Sequence, residues 1–97
     1  MVSWEVRMPR PGEVYRHYKG DLYRVLYVAT QSNGCREGES VVVYEGLKHE
    51  PGTNVRVRSF SGKDGWDTWS EEIGPRKMVD GLIVYPERFT LTDQPTV

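Results

Sequence analysis

The densest run of groups able to meet a ligand is Tyr15-Arg16-His17-Tyr18-Lys19. In an extended strand Tyr15, His17 and Lys19 share one face, and Val14, Arg16 and Tyr18 share the other. An aromatic plane, an imidazole and an ammonium in one row suit an anion carried beside a ring. The ring stacks, and the cations meet phosphate or carboxylate. The plain structural alternative packs Tyr15 inside the domain, ties His17 to a backbone carbonyl and leaves Lys19 solvated at a hairpin. A second pair of cations stands at Arg56 and Arg58, so that two forked guanidiniums leave one side of a strand. Arg88 joins them if the last strand pairs nearby. The alternative there is a surface ion-paired with Glu45, Glu71 or Glu87, each pair contributing about 0–1 kcal/mol. Trp66 and Trp69 lie three apart and fall on one side of a helical turn. They either cap an open end of the domain or form an exposed patch for stacking or for docking a partner.

No catalytic set accompanies these groups. Cys35 is the single cysteine, in a polar loop flanked by glycines, with no evident base beside it. Together with His17 and His49 it lacks the paired spacing of a zinc site. Neither a Walker-type loop nor a dinucleotide fingerprint occurs. Glu71 and Glu72, adjacent in sequence, point to different sides of a helical turn and make a poor carboxylate dyad. The expectation is a protein that binds and does not catalyse, with no cofactor and no metal. A small hydrolase using His17 with a metal or water is the minor alternative.

The elements that position these groups must be short. Ninety-seven residues make one domain with one core. Only 37% of them are hydrophobic, while ten glycines and six prolines favour short strands and many turns over long helices. Lys and Arg number 13 against 14 Asp and Glu, a net charge of −1. That balance argues against strong nonspecific duplex binding, which depends on many phosphate contacts, but not against a compact anionic ligand in one place. No run of about 18 apolar residues is present, so no membrane span is expected. The N-terminus has no apolar signal core, and a lone thiol suits a reducing cytoplasm.

Residues 1–11 read as an N-terminal arm that Trp4 and Val6 can pin to the body, or as a loose tail. A single β domain follows over 12–92, and 93–97 read as a frayed C-terminal tail. Within the domain, Val14 to Lys19 is a strand closed by a two-residue hairpin at Gly20-Asp21. Leu22 to Thr30 is apolar on both faces and is predicted central. Ser40 to Glu45 is a buried strand. Asn54 to Phe60 alternates, with Val55, Val57 and Ser59 on one side and Arg56, Arg58 and Phe60 on the open side. Thr68 or Ser70 can cap one helical turn through Ile73. Arg76 to Gly81 reads as a polar loop, Leu82 to Tyr85 as a short strand, and Arg88 to Thr92 as the last strand. The fold class is all-β: a small SH3-like barrel of five to six strands with one short helical turn.

The order of residues from Gly12 onward resembles DUF1653, a family of short bacterial and phage domains of unknown function. The pattern runs through Gly12, Tyr15, His17, Tyr18, Lys19, Gly20, Tyr23, Val28 and Ala29. It continues in Val42-Val43-Tyr44, Val57-Arg58 and Arg88-Phe89 after Pro86. The sequence departs from the pattern at Thr30-Gln31, at Ser59 and in a longer segment from Ser61 to Gly81. The resemblance implies an SH3-like barrel and no established activity. From the residues themselves, the expected function is binding of a nucleotide, RNA or other single-stranded nucleic acid. The face would be built from Tyr15, His17, Lys19, Arg56, Arg58 and Arg88, with Trp66 and Trp69 at its rim. The alternative is a protein-interaction module whose tryptophans dock a partner.

Overall fold

The computed structural model describes residues 2–3, 7–62 and 64–92. Trp4, Val6 and the tail over 93–97 lie outside the described residues. The described residues form eight strands: β1 (Val2–Ser3), β2 (Val14–His17), β3 (Leu22–Thr30), β4 (Ser40–Gly46), β5 (Val55–Ser59), β6 (Lys77–Val79), β7 (Leu82–Val84) and β8 (Phe89–Leu91). Five form one antiparallel sheet in the order β5-β4-β3-β2-β8. That is a four-strand meander with the last strand returning beside the first, the arrangement expected of an SH3-like barrel. A smaller sheet, β1-β7-β6, completes the all-β domain. In it Val2 and Ser3 of the arm pair in parallel with Ile83 and Val84.

The inner face of the larger sheet gathers Tyr15, Val25, Val42, Tyr44 and Phe89 around Trp66, with Tyr23 and Phe60 packed against them. The two apolar faces of β3 have a local cause. Val25 lies opposite Tyr44 but Tyr27 lies opposite Val43, so Leu26 is an extra residue in the ladder. Such a bulge flips the parity of the strand. Val25 is buried before it, whereas after it Leu26 and Val28 are half-buried and Tyr27 and Ala29 are exposed. β3 is central in the sheet, as expected, but it is not covered on both sides.

Several local expectations are corrected. The β2–β3 connection is longer than a two-residue hairpin. The His17 carbonyl accepts from Gly20 N at 2.7 Å and His17 N donates to the Asp21 carbonyl at 2.8 Å, leaving Tyr18, Lys19 and Gly20 in the loop. Gly20 has a φ of 108°, which a side chain would strain. The segment from 76 to 81 is not a loop. β6 and β7 form a hairpin through Asp80-Gly81, both at positive φ, a turn that matches strand twist. No helix occurs among the described residues. The Ser70 carbonyl accepts from Ile73 N and Gly74 N in one closed turn that goes no further. Trp66 and Trp69 therefore do not share a helical face.

Chain reversal after β5 supplies the core's largest side chain. Trp66 N donates to the Ser59 carbonyl and Asp67 N to that of Phe60, both at 2.8 Å. The fold-back turns Trp66 inward until it is 0% exposed. Gly65 permits this approach, since a Cβ there would stand 2.7 Å from the Ser61 carbonyl carbon.

Candidate functional site

Register decides which face β5 presents. Arg58 lies opposite Val42 and Arg56 opposite Tyr44. Directly opposed residues of an antiparallel pair share a face, and Val42 and Tyr44 are core residues. Both arginines therefore rise from the inner, aromatic face, while Val55 and Val57 stand outside at 48% and 65% exposure. The expected orientation is reversed: the open side carries the valines. Alternation in the sequence shows that β5 has two faces, but the neighbouring strand sets which one is inner.

The inner face ends in a cluster of rings capped by cations. His17 lies 5.0 Å from Phe89, 4.4 Å from Tyr18 and 6.2 Å from Tyr23, ring centre to ring centre. Each of those rings carries a positive group. The Arg58 guanidinium lies 5.5 Å from the Phe89 centroid and that of Arg56 5.7 Å from Tyr23. Lys19 Nζ and the Arg88 guanidinium lie 5.7 and 5.9 Å from Tyr18. Contacts of this kind are worth about 0.5–2 kcal/mol each, depending on desolvation. Three elements supply the cations: the β2–β3 turn, β5, and the residue preceding β8.

Among the described residues no carboxylate forms an ion pair with any of these four cations. The ion pairs among the described residues are Arg7–Glu13, Arg36–Glu39 and Lys48–Asp21. Arg56 Nε instead donates to Asn54 Oδ1 at 3.0 Å. Arg58 donates to the Tyr44 hydroxyl at 3.3 Å and to the Asp64 carbonyl at 2.6 Å. Arg88 is the outlier. It is 8% exposed, and its buried Nε has no hydrogen-bond partner. A buried guanidinium nitrogen without a hydrogen-bond partner is costly in a folded chain.

His17 is fixed within this field. Its Nδ1 accepts from Lys19 N at 3.2 Å, so the neutral ring carries its proton on Nε2. Burial holds its pKa below the ordinary imidazole value, and the charges of Arg58, Arg88 and Lys19 lower it further against a weaker opposing pull from Asp21. The ring is thus a neutral N–H donor at pH 7, surrounded by cations.

The other expected site residues lie elsewhere. Tyr15 is a core residue, 3% exposed, edge-to-face with Trp66 at 5.2 Å. Its hydroxyl donates to Glu13 Oε1 at 3.0 Å, and burial followed by that bond raises its pKa. It offers no plane to a ligand. Trp66 stacks on Phe89 at 3.8 Å and 6° inside the core, so it neither rims the site nor docks a partner. Trp69 packs on Tyr85 at 4.5 Å and donates its indole N–H to the Gly74 carbonyl, and it makes no ring contact with His17. In place of Tyr15, the rings beneath the cations are Tyr18, Tyr23 and Phe89. Tyr18 escaped the strand reading because the loop after His17 turns it back beside the imidazole.

Outside this face, Cys35 is exposed and lines a cavity of about 290 Å³ with Gln31 and Arg36. His49 borders one of about 50 Å³ beside Tyr23 and Arg56. Among the described residues no three His, Cys, Asp or Glu side chains group as metal ligands, and no helix is long and apolar enough to cross a membrane.

Fold and site together define a small barrel-like β domain with a cation-capped aromatic face. The family model described as a protein of unknown function, DUF1653, matches residues 13–62, just over half of the chain, and the protein belongs to that family. The matched segment holds His17, Lys19, Arg56 and Arg58, while Arg88 and Phe89 lie beyond it. No curated protein and no solved structure gives a significant match.

Proposed function

We propose that the protein is a non-catalytic binding module that takes an anionic ligand, a nucleotide or single-stranded nucleic acid, on the face around His17. The observation that carries this reading is Arg88, nine-tenths buried with an unpartnered Nε, beside three further cations that form no ion pair among the described residues. An anion would supply the missing counter-charge and accept the donors that the fold leaves open. The oriented Nε2–H of His17 adds a neutral donor at the same place. A reducing, cytoplasmic setting accords with the exposed Cys35.

The test is an amide NMR titration of the labelled protein with short RNA, single-stranded DNA and a panel of mono-, di- and cyclic nucleotides. Shifts gathered on His17, Tyr18, Lys19, Arg58 and Arg88 support the reading. Titration with the whole panel and no shift at these residues overturns it.

A further inference from the structure

We infer that the group recognised is a phosphate monoester, the terminal dianion of a nucleotide or of a 5′-phosphorylated strand, and that an internal phosphodiester is a poor ligand. The inference rests on the anion-binding reading above and narrows it by charge and by shape.

The cations converge; they do not run in a line. Lys19, Arg58 and Arg88 each cap a ring that itself touches His17. A nucleic-acid backbone carries one charge per phosphate and calls for cations strung along its path. On β5 such a path is short. Arg56 and Arg58 stand two residues apart, roughly 7 Å along a strand. The next position on that face is Phe60, which is uncharged. Arg58 also has its Nε and one terminal nitrogen committed to Tyr44 and Asp64.

A convergent set around one point fits a compact, highly charged group. A phosphate monoester carries about −1.5 to −2 at pH 7 and offers three terminal oxygens. Donors for its oxygens stand at Arg58, Arg88, Lys19 and the His17 Nε2–H, the three cations lying over rings that touch His17. A diester has one charge and two free oxygens, so it forgoes at least one of these partners.

The rings do not compete as the recognition element. Phe89 is stacked by Trp66 and overlain by Arg58, and Tyr23 is overlain by Arg56. Their faces are used within the fold, so a base has little bare ring to stack on. Charge at one end of the ligand then outweighs its base.

The experiment is calorimetric titration of the whole protein, at fixed ionic strength and pH 7.5, with five probes. They are inorganic phosphate, 5′-AMP, 3′,5′-cyclic AMP, and a diadenylate with and without a 5′-phosphate. The inference expects 5′-AMP to bind at least tenfold more tightly than the cyclic diester, and the 5′-phosphorylated diadenylate at least tenfold more tightly than its 5′-hydroxyl form. Inorganic phosphate equal to 5′-AMP would identify the source as free phosphate and still support the monoester dianion. Equal binding of monoester and diester would overturn this inference while leaving an anion site in place. No binding by any probe, with the NMR panel also silent, would overturn both.

Discussion

Replacing Arg88 with methionine should make the free protein more stable. The guanidinium is 8% exposed and its Nε has no partner. A buried donor left unsatisfied costs about 1–3 kcal/mol. Its contact with Tyr18, at 5.9 Å, returns about 0.5–2 kcal/mol. Methionine keeps the apolar stem packed and removes the charge. The balance favours Arg88→Met by about 1 kcal/mol, which in a domain of this size raises Tm by roughly 4–8 °C. Urea unfolding should show the midpoint moving with m unchanged. Adding a binding anion should stabilise the wild type and not the variant, through mass action. A loss of 1 kcal/mol or more in the free variant would refute the reasoning, because it would mean that Arg88 is well satisfied and structural. A side chain that costs stability yet persists in a core is the expected mark of a functional group.

Other outcomes follow from the same geometry. Trp66→Ala removes a fully buried indole and should cost about 3–5 kcal/mol, enough to blur or abolish a cooperative urea transition. Gly65→Ala should cost more than about 1 kcal/mol by thermal unfolding, because the new methyl meets Ser61 backbone atoms at 2.7–2.9 Å and backbone yields poorly. For His17 the folded pKa is depressed, so below about pH 6.5 the unfolded chain binds the extra proton first. Stability should be complete above that pH and decline as pH falls toward the folded pKa; His17→Gln should flatten that part of a Tm-against-pH profile.

Strand content and the hairpin at Gly20 were legible because aromatic and β-branched runs separated by glycine have a local meaning. The Asp80-Gly81 hairpin carried an equally local signal, a turn dipeptide between Met78-Val79 and Leu82-Ile83, and it was obscured by the charged Arg76-Lys77 before it. Nonlocal facts were not legible. The inner face of β5 depends on Val42 lying opposite Arg58, and the burial of Trp66 depends on a fold-back to Ser59 and Phe60. Of the cation-capped aromatic face, the sequence marked His17, Lys19, Arg56, Arg58 and Arg88. It assigned the ring beneath them to Tyr15, because strand periodicity was extended through a residue that is already in the turn.

The most direct measurement is the ring-nitrogen NMR spectrum of His17 with and without 5′-AMP at pH 7.5. The Nδ1 signal, tied to Lys19 N, should stay in its unprotonated range. The Nε2 signal should move as its N–H meets the phosphate. Both ring signals unchanged at saturating nucleotide would contradict an anion site at this face.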